Sequence, residues 1–213
     1  MSVERRRLPV AREGWPFIVT PAAIAAVLTV AGRRRLAAPF AAAAAAALGF
    51  FRDPDRAVTA LAHAVLSPAD GRVTLVDEIE DDFVGAAVRV AIFLSPLDVH
   101  VNRSPIAALV AQTTYQPGRF LAAYRPEAGE ANERMTIHLQ GESARVTVRQ
   151  IAGVAARRIV CRVAAGDKLA AGERFGMIRF GSRTDCIMPR TVRLGVRVGD
   201  KVTGGITVLG TLS

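Results

Sequence analysis

The chain has 213 residues, which is enough for one ordinary domain and an appendage. Its formal net charge of +9 indicates an anionic partner, either nucleic acid or an anionic membrane surface. Nucleic acid is the weaker of the two, because aromatic residues make up only 6% of the chain and no zinc-finger spacing or basic recognition helix is present. The two cysteines and three histidines show no metal-ligand spacing, so we expect no metal site and a reduced, cytosol-facing compartment.

Two uncharged apolar segments dominate the N-terminal region, which we take as residues 1–53. They run from 14 to 32 and from 36 to 51, with Arg33, Arg34 and Arg35 between them. A signal peptide fits poorly, because the second segment follows directly and no clear cleavage site ends the first. We predict a membrane-associated helical hairpin whose arginines meet anionic lipid headgroups.

The sequence leaves the depth of this hairpin open. The second segment has 16 residues, or about 24 Å of helix, against a hydrocarbon core of about 30 Å. It therefore either spans the bilayer or lies in the interface. A buried helical hairpin of a soluble protein is the remaining alternative, and it is disfavoured because the segments offer little polar face to solvent.

From Pro54 onward the pattern changes to short β-branched runs separated by glycine and proline turns. The predicted strands are 64–66, 72–76, 88–94, 107–115, 135–139, 145–151 and 157–163. No long segment of helical period interrupts them. Residues 54–213 are therefore predicted to form a mainly β, antiparallel domain, either a sandwich or a partly open barrel.

A short internal repeat supports this prediction. Gly166-Asp167-Lys168-Leu169 and Gly199-Asp200-Lys201-Val202 share one pattern, and a second glycine turn follows each copy. Hairpins of this kind are typical of lipoyl and biotinyl carrier domains. Two copies in register predict a pseudo-symmetric sandwich, with Phe180-Gly181-Ser182 in the connection between them.

Three polar loops that adjoin apolar strands are the candidates for chemistry. They are Ser67-Pro68-Ala69-Asp70-Gly71, the proline-bracketed stretch 95–105 with His100 and Arg103, and Phe180-Gly181-Ser182. Each is a weak signal alone, because Asp-Gly is a common turn pair and a single histidine is usually structural. A rigid loop at the end of a strand is nevertheless where functional side chains tend to be held.

Taken in order, these loops resemble the phosphatidylserine decarboxylase family in its short, archaeal-type proenzyme form. The resemblance also includes Phe50-Phe51-Arg52-Asp53-Pro54 and covers nearly the whole chain. It implies self-cleavage between Gly181 and Ser182, which turns Ser182 into an N-terminal pyruvoyl group. The large and small chains, 1–181 and 182–213, would then stay together as a heterodimer, and a higher oligomer is left open.

The resemblance also implies the reaction, which is decarboxylation of phosphatidylserine to phosphatidylethanolamine. The pyruvoyl carbonyl forms a Schiff base with the substrate amine and acts as the electron sink, so neither a metal nor pyridoxal phosphate is expected. His100 is the best candidate for the acid that reprotonates the product. The expected location is the inner cell membrane, with the protein peripheral or hairpin-anchored and the catalytic domain facing the cytoplasm.

The chain departs from the family pattern at one position of the second loop. Many longer members have two histidines there, three residues apart, and an aspartate in the first loop. Here His100 fills the first position and Arg103 the second. The base for self-cleavage is therefore left open between Asp70, His100 or both, and Arg103 becomes a candidate for binding the substrate carboxylate or phosphate.

Two other classes of protein fit the sequence less well. A non-enzymatic, membrane-tethered lipoyl-like adaptor module would explain the apolar hairpin and the repeat, but not the three loops together. A membrane-bound serine hydrolase would need a Gly-x-Ser-x-Gly elbow, which the sequence around Ser182 lacks.

Overall fold

The computed structural model describes residues 9–58, 63–125, 127–154, 158–179 and 182–212. The chain divides into two compact units, Met1–Asp55 and Arg56–Ser213. The first is helical and the second is mainly β, so the predicted fold class is confirmed.

The helical unit is a hairpin of α1 (Trp15–Val30) and α2 (Arg34–Phe50), as the sequence predicts. The turn between the helices depends on Gly32, whose φ of 74° is left-handed. The N–H groups of Gly32 and Arg33 donate to the carbonyls of Thr29 and Leu28, which caps the C-terminus of α1. The arginine triplet therefore lies at the tip of the hairpin.

Large apolar side chains cover the outside of this hairpin. Val27, Val30, Leu36 and Leu48 are each at least half exposed. The segment Arg12–Val30 has a mean hydropathy of 1.4 and, in the described part of the chain, is the one helix long and apolar enough to cross a membrane. By length and composition, this helix is suited to anchor the protein to a membrane.

The β unit is built from short strands and one helical turn. Within the described residues they are β1 (Ala64–Leu66), β2 (Gly71–Asp81), β3 (Gly85–Leu94), β4 (Val101–Arg103), β5 (Ala108–Gln116), α3 (Ala128–Ala131), β6 (Arg134–Gly141), β7 (Arg145–Ile151), β8 (Ile159–Cys161), β9 (Lys168–Leu169), β10 (Arg174–Ile178), β11 (Ser182–Pro189), β12 (Arg193–Leu194), β13 (Lys201–Val202) and β14 (Val208–Thr211). Each predicted strand overlaps an observed one, although Arg157, the first residue of the predicted strand 157–163, lies outside the described residues. Of the strands in the described residues, the predicted list lacks β4 and β9 to β14; the longest of these is β11, whose first four residues are all polar.

The largest sheet curls into an antiparallel half-barrel with the strand order β13-β2-β3-β11-β7-β6-β5-β9. Two three-stranded sheets, β1-β14-β12 and β4-β10-β8, accompany it among the described residues. Because side chains alternate along a strand, one face of the large sheet is apolar and forms the core, with Val90, Ile92, Leu94 and Val148 fully buried. The opposite face carries ion pairs.

The large sheet is pseudo-symmetric, and its two edges are the two copies of the repeat, β9 and β13. The hairpin β2–β3 has a register shift after Val73, and the hairpin β5–β6 has the same shift after Val110. The N–H groups of Val73 and Val110 donate to the carbonyls of Asp200 and Asp167, one in each copy of the repeat. The repeat therefore reflects two structurally equivalent halves.

The turns of the two halves match as closely as the strands. Gly205 and Gly172 have φ angles of 73° and 74°, and their N–H groups donate to the carbonyls of Ser67 and Ser104, both at 2.8 Å. The hydroxyls of Ser67 and Ser104 each donate to the carbonyl two residues ahead, at 2.7 Å. We call positions related in this way counterparts, so that 67 corresponds to 104 and 205 to 172.

Candidate active site

Ser182 is the first residue of β11 and pairs with Leu94, the last residue of β3. By strand alternation it shares the core-facing side of the sheet with Thr184. The side chain is fully buried and, within the described residues, its Oγ has no hydrogen-bond partner. A buried hydroxyl of this kind is costly for the fold and marks a candidate functional group. Gly181, the predicted partner in the cleaved bond, lies outside the described residues.

The loop from Ser95 to His100 leaves β3 at the point where Ser182 pairs with that strand. Asp98 closes its turn, because Oδ2 accepts hydrogen bonds from the Ser95 N–H at 2.8 Å and hydroxyl at 2.7 Å. At the far end, the His100 carbonyl accepts from the N–H of Ile178 on β10. One end of the loop thus continues β3, the strand that pairs with Ser182, and the other end is bonded to β10, the strand that precedes Ser182 in the sequence. The fold therefore brings His100 and Ser182 to the same end of the sheet.

The orientation of the His100 ring is set by its own loop. Nδ1 lies 2.9 Å from the carbonyl oxygen of Asp98. A carbonyl oxygen only accepts, so Nδ1 carries a proton and Nε2 holds the lone pair of the neutral ring. The whole side chain is buried. His100 therefore has the tautomer that a proton acceptor at Nε2 requires.

Asp70 lies in the turn between β1 and β2, and an arginine holds its carboxylate. Arg56 Nη1 and Nη2 donate to Oδ1 at 2.6 Å and Oδ2 at 2.8 Å, and the N–H of Gly204 donates to Oδ1 at 2.8 Å. Among the described residues, no hydrogen bond joins Asp70 to His100 or Ser182. The choice between Asp70 and His100 as the base for self-cleavage stays open in this arrangement.

A buried amide network that the sequence analysis did not predict joins the three candidate loops. Asn102 Nδ2 donates to Thr184 Oγ1 at 3.0 Å and to the carbonyl of Pro68 at 3.4 Å, and Asn102 Oδ1 accepts from Gln150 Nε2 at 2.8 Å. All three polar side chains are fully buried. One side chain therefore ties the loop 67–71, the loop 95–105 and β11 together, two residues from Ser182. The available signal was the position of Asn102 in the same proline-bracketed stretch as His100.

Arg103 is almost fully buried, and its side chain lies against two turns that the pseudo-symmetry relates. Its Nη1 donates to the carbonyl of Gly172 at 3.1 Å, and a Cβ added at Gly205 would lie 2.9 Å from its Cδ. The side chain therefore packs against the paired glycine turns of both halves. Its predicted role in binding substrate stays a prediction.

The residue after Ser182 begins a buried ion pair on the opposite face of the sheet. Arg183 Nε and Nη2 donate to Asp185 Oδ1 and Oδ2 at 2.6 and 2.9 Å, and both side chains are at most 2% exposed. Burial raises the pKa of the Asp185 carboxyl, and the nearby guanidinium of Arg183 opposes that shift. Both partners lie on β11, so the pair holds the Arg183 side chain along its own strand, directly beside Ser182.

Comparisons with known proteins identify the family of this chain. A family model described as phosphatidylserine decarboxylase matches residues 43–210. The chain is 48% identical over 212 residues to a phosphatidylserine decarboxylase proenzyme from Symbiobacterium thermophilum, with 98% of both chains covered. Proenzymes of the same name from Nitrosomonas europaea and Burkholderia mallei are 45% and 43% identical, with 94% and 95% of both chains covered. These similarities favour an enzyme over an adaptor module or a serine hydrolase. The chain therefore belongs to the phosphatidylserine decarboxylase family.

Proposed function

We propose that this protein is a precursor that cleaves itself between Gly181 and Ser182, and that the processed enzyme converts phosphatidylserine to phosphatidylethanolamine and carbon dioxide. Membership of the family supports the reaction, and the name proenzyme in its relatives supports the processing. The observation that carries the proposal is the buried Ser182 Oγ, which has no hydrogen-bond partner among the described residues and lies where the His100 loop begins.

Self-cleavage begins with loss of the Ser182 hydroxyl proton to a base, for which His100 Nε2 is a candidate because Nδ1 carries the proton of the neutral ring. The Oγ then attacks the carbonyl carbon of Gly181. The carbon–nitrogen bond breaks, the nitrogen takes up a proton, and the peptide becomes an ester on the Ser182 side chain. Gly181 has no side chain to obstruct this attack.

A second proton transfer completes the processing. A base removes the α-proton of Ser182, the bond between Ser182 Cβ and the ester oxygen breaks, and the Gly181 carboxylate departs from Ser182 as the new C-terminus of the large chain. The remaining dehydroalanine tautomerises to an imine, water adds, and ammonia departs to leave a ketone. A serine that is converted rather than retained fits the lack of a hydrogen-bond partner for Oγ in the described structure.

The pyruvoyl ketone so formed supplies an electron sink for the electron pair left when carbon dioxide departs from the substrate. His100 then has a second role, because the product carbon needs a proton and the buried ring is held at the same end of the sheet. Arg103 remains the candidate for the substrate carboxylate or phosphate. No metal and no pyridoxal phosphate take part in this scheme.

We infer that the helical hairpin anchors the enzyme to the inner membrane, with the β unit on the cytoplasmic side. The exposed apolar side chains of α1 and α2 suit lipid, and Arg33 to Arg35 suit anionic headgroups. The two chains left by cleavage would stay together, because β11 pairs with β3 and β7 along nearly its whole length and β13 pairs with β2.

The decisive experiment is intact-mass analysis of the purified full chain in detergent. Wild type is expected as two chains, 1–181 and 182–213, with the small chain one ammonia lighter than its unprocessed sequence and reactive toward a hydrazide. Ser182→Ala is expected as one intact, inactive chain. Fully active wild-type protein that consists of one intact chain would contradict the proposal, as would an active Ser182→Ala variant.

A further inference from the structure

Arg56 is the first residue of the β unit, and its guanidinium donates hydrogen bonds to two loops, one that holds Asp70 and one that holds Gly204. Besides its two bonds to the Asp70 carboxylate, Nη1 donates to the carbonyl of Gly204 at 2.5 Å. The Arg56 and Asp70 side chains are 9% and 16% exposed, so the pair is shielded from solvent. A paired, bidentate arginine–carboxylate contact of this kind fixes both distance and orientation.

These bonds determine which part of Asp70 remains available. A carboxylate has about four lone-pair positions, two on each oxygen. Among the described residues, Oδ1 accepts from both Arg56 and Gly204, whereas Oδ2 accepts from Arg56 alone. One acceptor position, on Oδ2, is therefore left for a further donor, and Arg56 sets its direction.

Gly204 takes part because its backbone approaches the loop closely. A Cβ added at Gly204 would lie 3.1 Å from the carbonyl carbon of Ala69, which is tighter than ordinary contact. The absence of a side chain thus lets the Gly204 N–H reach Asp70. In the proposed cleavage, Arg56 and Asp70 belong to the large chain and Gly204 to the small one, so the three residues join the two products.

The pseudo-symmetry of the sheet separates this arrangement from the needs of the fold. The counterpart of Asp70 is Ala107, and the counterpart of Gly204 is Ala171. The second half makes the same turn, with the same serine hydroxyl bond and the same glycine, without a carboxylate in it. The fold therefore does not require the Arg56–Asp70 pair.

We propose that Arg56 is a positioning residue for self-cleavage, which holds Asp70, the second candidate base, so that the remaining lone pair of Oδ2 serves one of the two proton transfers at Ser182. This inference rests on the proposed function and adds a residue to it. Arg56 does not touch the reacting atoms. It acts through Asp70, and its loss should change the rate of processing rather than the ability of the chain to fold.

The test follows the first round of cleavage in newly made full-length precursor. The protein is synthesised without cells in the presence of phosphatidylglycerol-containing nanodiscs, and conversion of the 213-residue chain to its fragments is timed on denaturing gels. Arg56→Ala is expected to cleave roughly 10- to 100-fold more slowly than wild type, because a small loss of alignment has that effect on proton transfer. Added methylguanidinium is expected to restore much of the rate.

Two further variants separate positioning from structural support. Arg56→Lys keeps the charge but donates to one oxygen at a time, so it should also be slow while unfolding at the wild-type temperature. Arg89→Ala is the matched control. Arg89 donates to the Asp77 carboxylate through two nitrogens, and its side chain is 14% exposed. The Arg89→Ala precursor should cleave at the wild-type rate.

Each result has one meaning. Wild-type rates for Arg56→Ala or Arg56→Lys would overturn the role of Arg56, as would a folded Arg56→Ala precursor that methylguanidinium does not accelerate. If Arg56→Ala does not fold, the rate of Arg56→Lys decides alone. Failure of the wild-type chain to cleave would instead overturn the proposed function, so the two failures are distinguishable.

Discussion

The β unit contains the candidate site and a pseudo-symmetric counterpart of it that carries no comparable set of side chains. The same turns, register shifts and glycine conformations occur in both places. The register of the strands relates each candidate residue to a counterpart in the other half. The pairs are Ser182 and Ala144, Asp70 and Ala107, His100 and His63, Asn102 and Val65, and Thr184 and Val146.

The difference separates the candidate residues for chemistry from the residues that both halves share. Ala144 lies in a tight hairpin, where its carbonyl accepts from the N–H of Gly141 at 2.9 Å, so the chain simply continues from β6 into β7. At the equivalent place on the other side, β3 ends in the His100 loop and β11 begins at Ser182. Four of the five counterparts are apolar or small, and the fifth, His63, is exposed, so the frame forms on that side without the buried polar set.

The sharpest way to break this comparison uses the two histidines. The carbonyls of His100 and His63 accept equivalent backbone bonds, but His100 is buried whereas His63 is exposed. His100→Gln is expected to lower the rate of self-cleavage by about 10²- to 10⁴-fold, the range for loss of a general base or acid. His63→Gln should process normally. Timed gel analysis of both precursors decides, and equal rates would refute the distinction.

The Asn102 network gives the next largest effect. Asn102→Val installs the counterpart residue and leaves the Thr184 hydroxyl and the Gln150 amide without it, at about 1–3 kcal/mol for each buried group. The double variant Asn102→Val with Thr184→Val restores the apolar pair of the counterpart and should regain part of that stability. Thermal unfolding of both changes in a Ser182→Ala precursor measures this. Strictly additive losses would contradict a direct bond.

The paired glycines test whether the two halves are equally well packed. Gly172 and Gly205 both require left-handed backbone, so alanine at either costs about 1–3 kcal/mol of strain. The added Cβ at Gly172 would lie 2.3 Å from Cγ2 of Val58, whereas at Gly205 it would lie 2.9 Å from the flexible Arg103 side chain. Gly172→Ala should therefore lower the unfolding temperature more than Gly205→Ala. The reverse order, measured by calorimetry, would contradict the packing.

The sequence predicts the strands and turns better than it predicts the candidate site, because strands and turns are signalled by neighbouring residues. The two Gly-Asp-Lys copies predict the edge strands β9 and β13, and glycine and proline turns delimit most other strands. Ser182 and His100 stand out only through the ordered family motifs. The Asn102 network joins residues 34 to 82 positions apart in sequence, and only the fold places them in contact. The Arg56–Asp70 pair joins two segments outside the strands, 14 residues apart. Asp70 is visible as a turn residue, but its guanidinium partner is not.

The smallest expected effect is a loss of folding stability in acid, caused by a histidine on β6 whose counterpart on β3 does not titrate. His138 on β6 is the counterpart of Ala91 on β3. Burial lowers the pKa of His138, and its Nδ1 lies 3.0 Å from the Thr147 hydroxyl, whose proton is donated to Asp81. Nδ1 is therefore the donor to Thr147. Because the pKa of His138 in the folded chain lies below the ordinary value of about 6.5, protonation favours the unfolded chain. The folded chain therefore loses stability as the pH falls from about 6.5 toward the lower folded pKa.

Unfolding temperatures of Ser182→Ala precursors at pH 8 and pH 5.5, with and without His138→Gln, isolate the contribution of His138 to this loss. A His138→Gln precursor that loses as much stability in acid as its parent would show that another group is responsible.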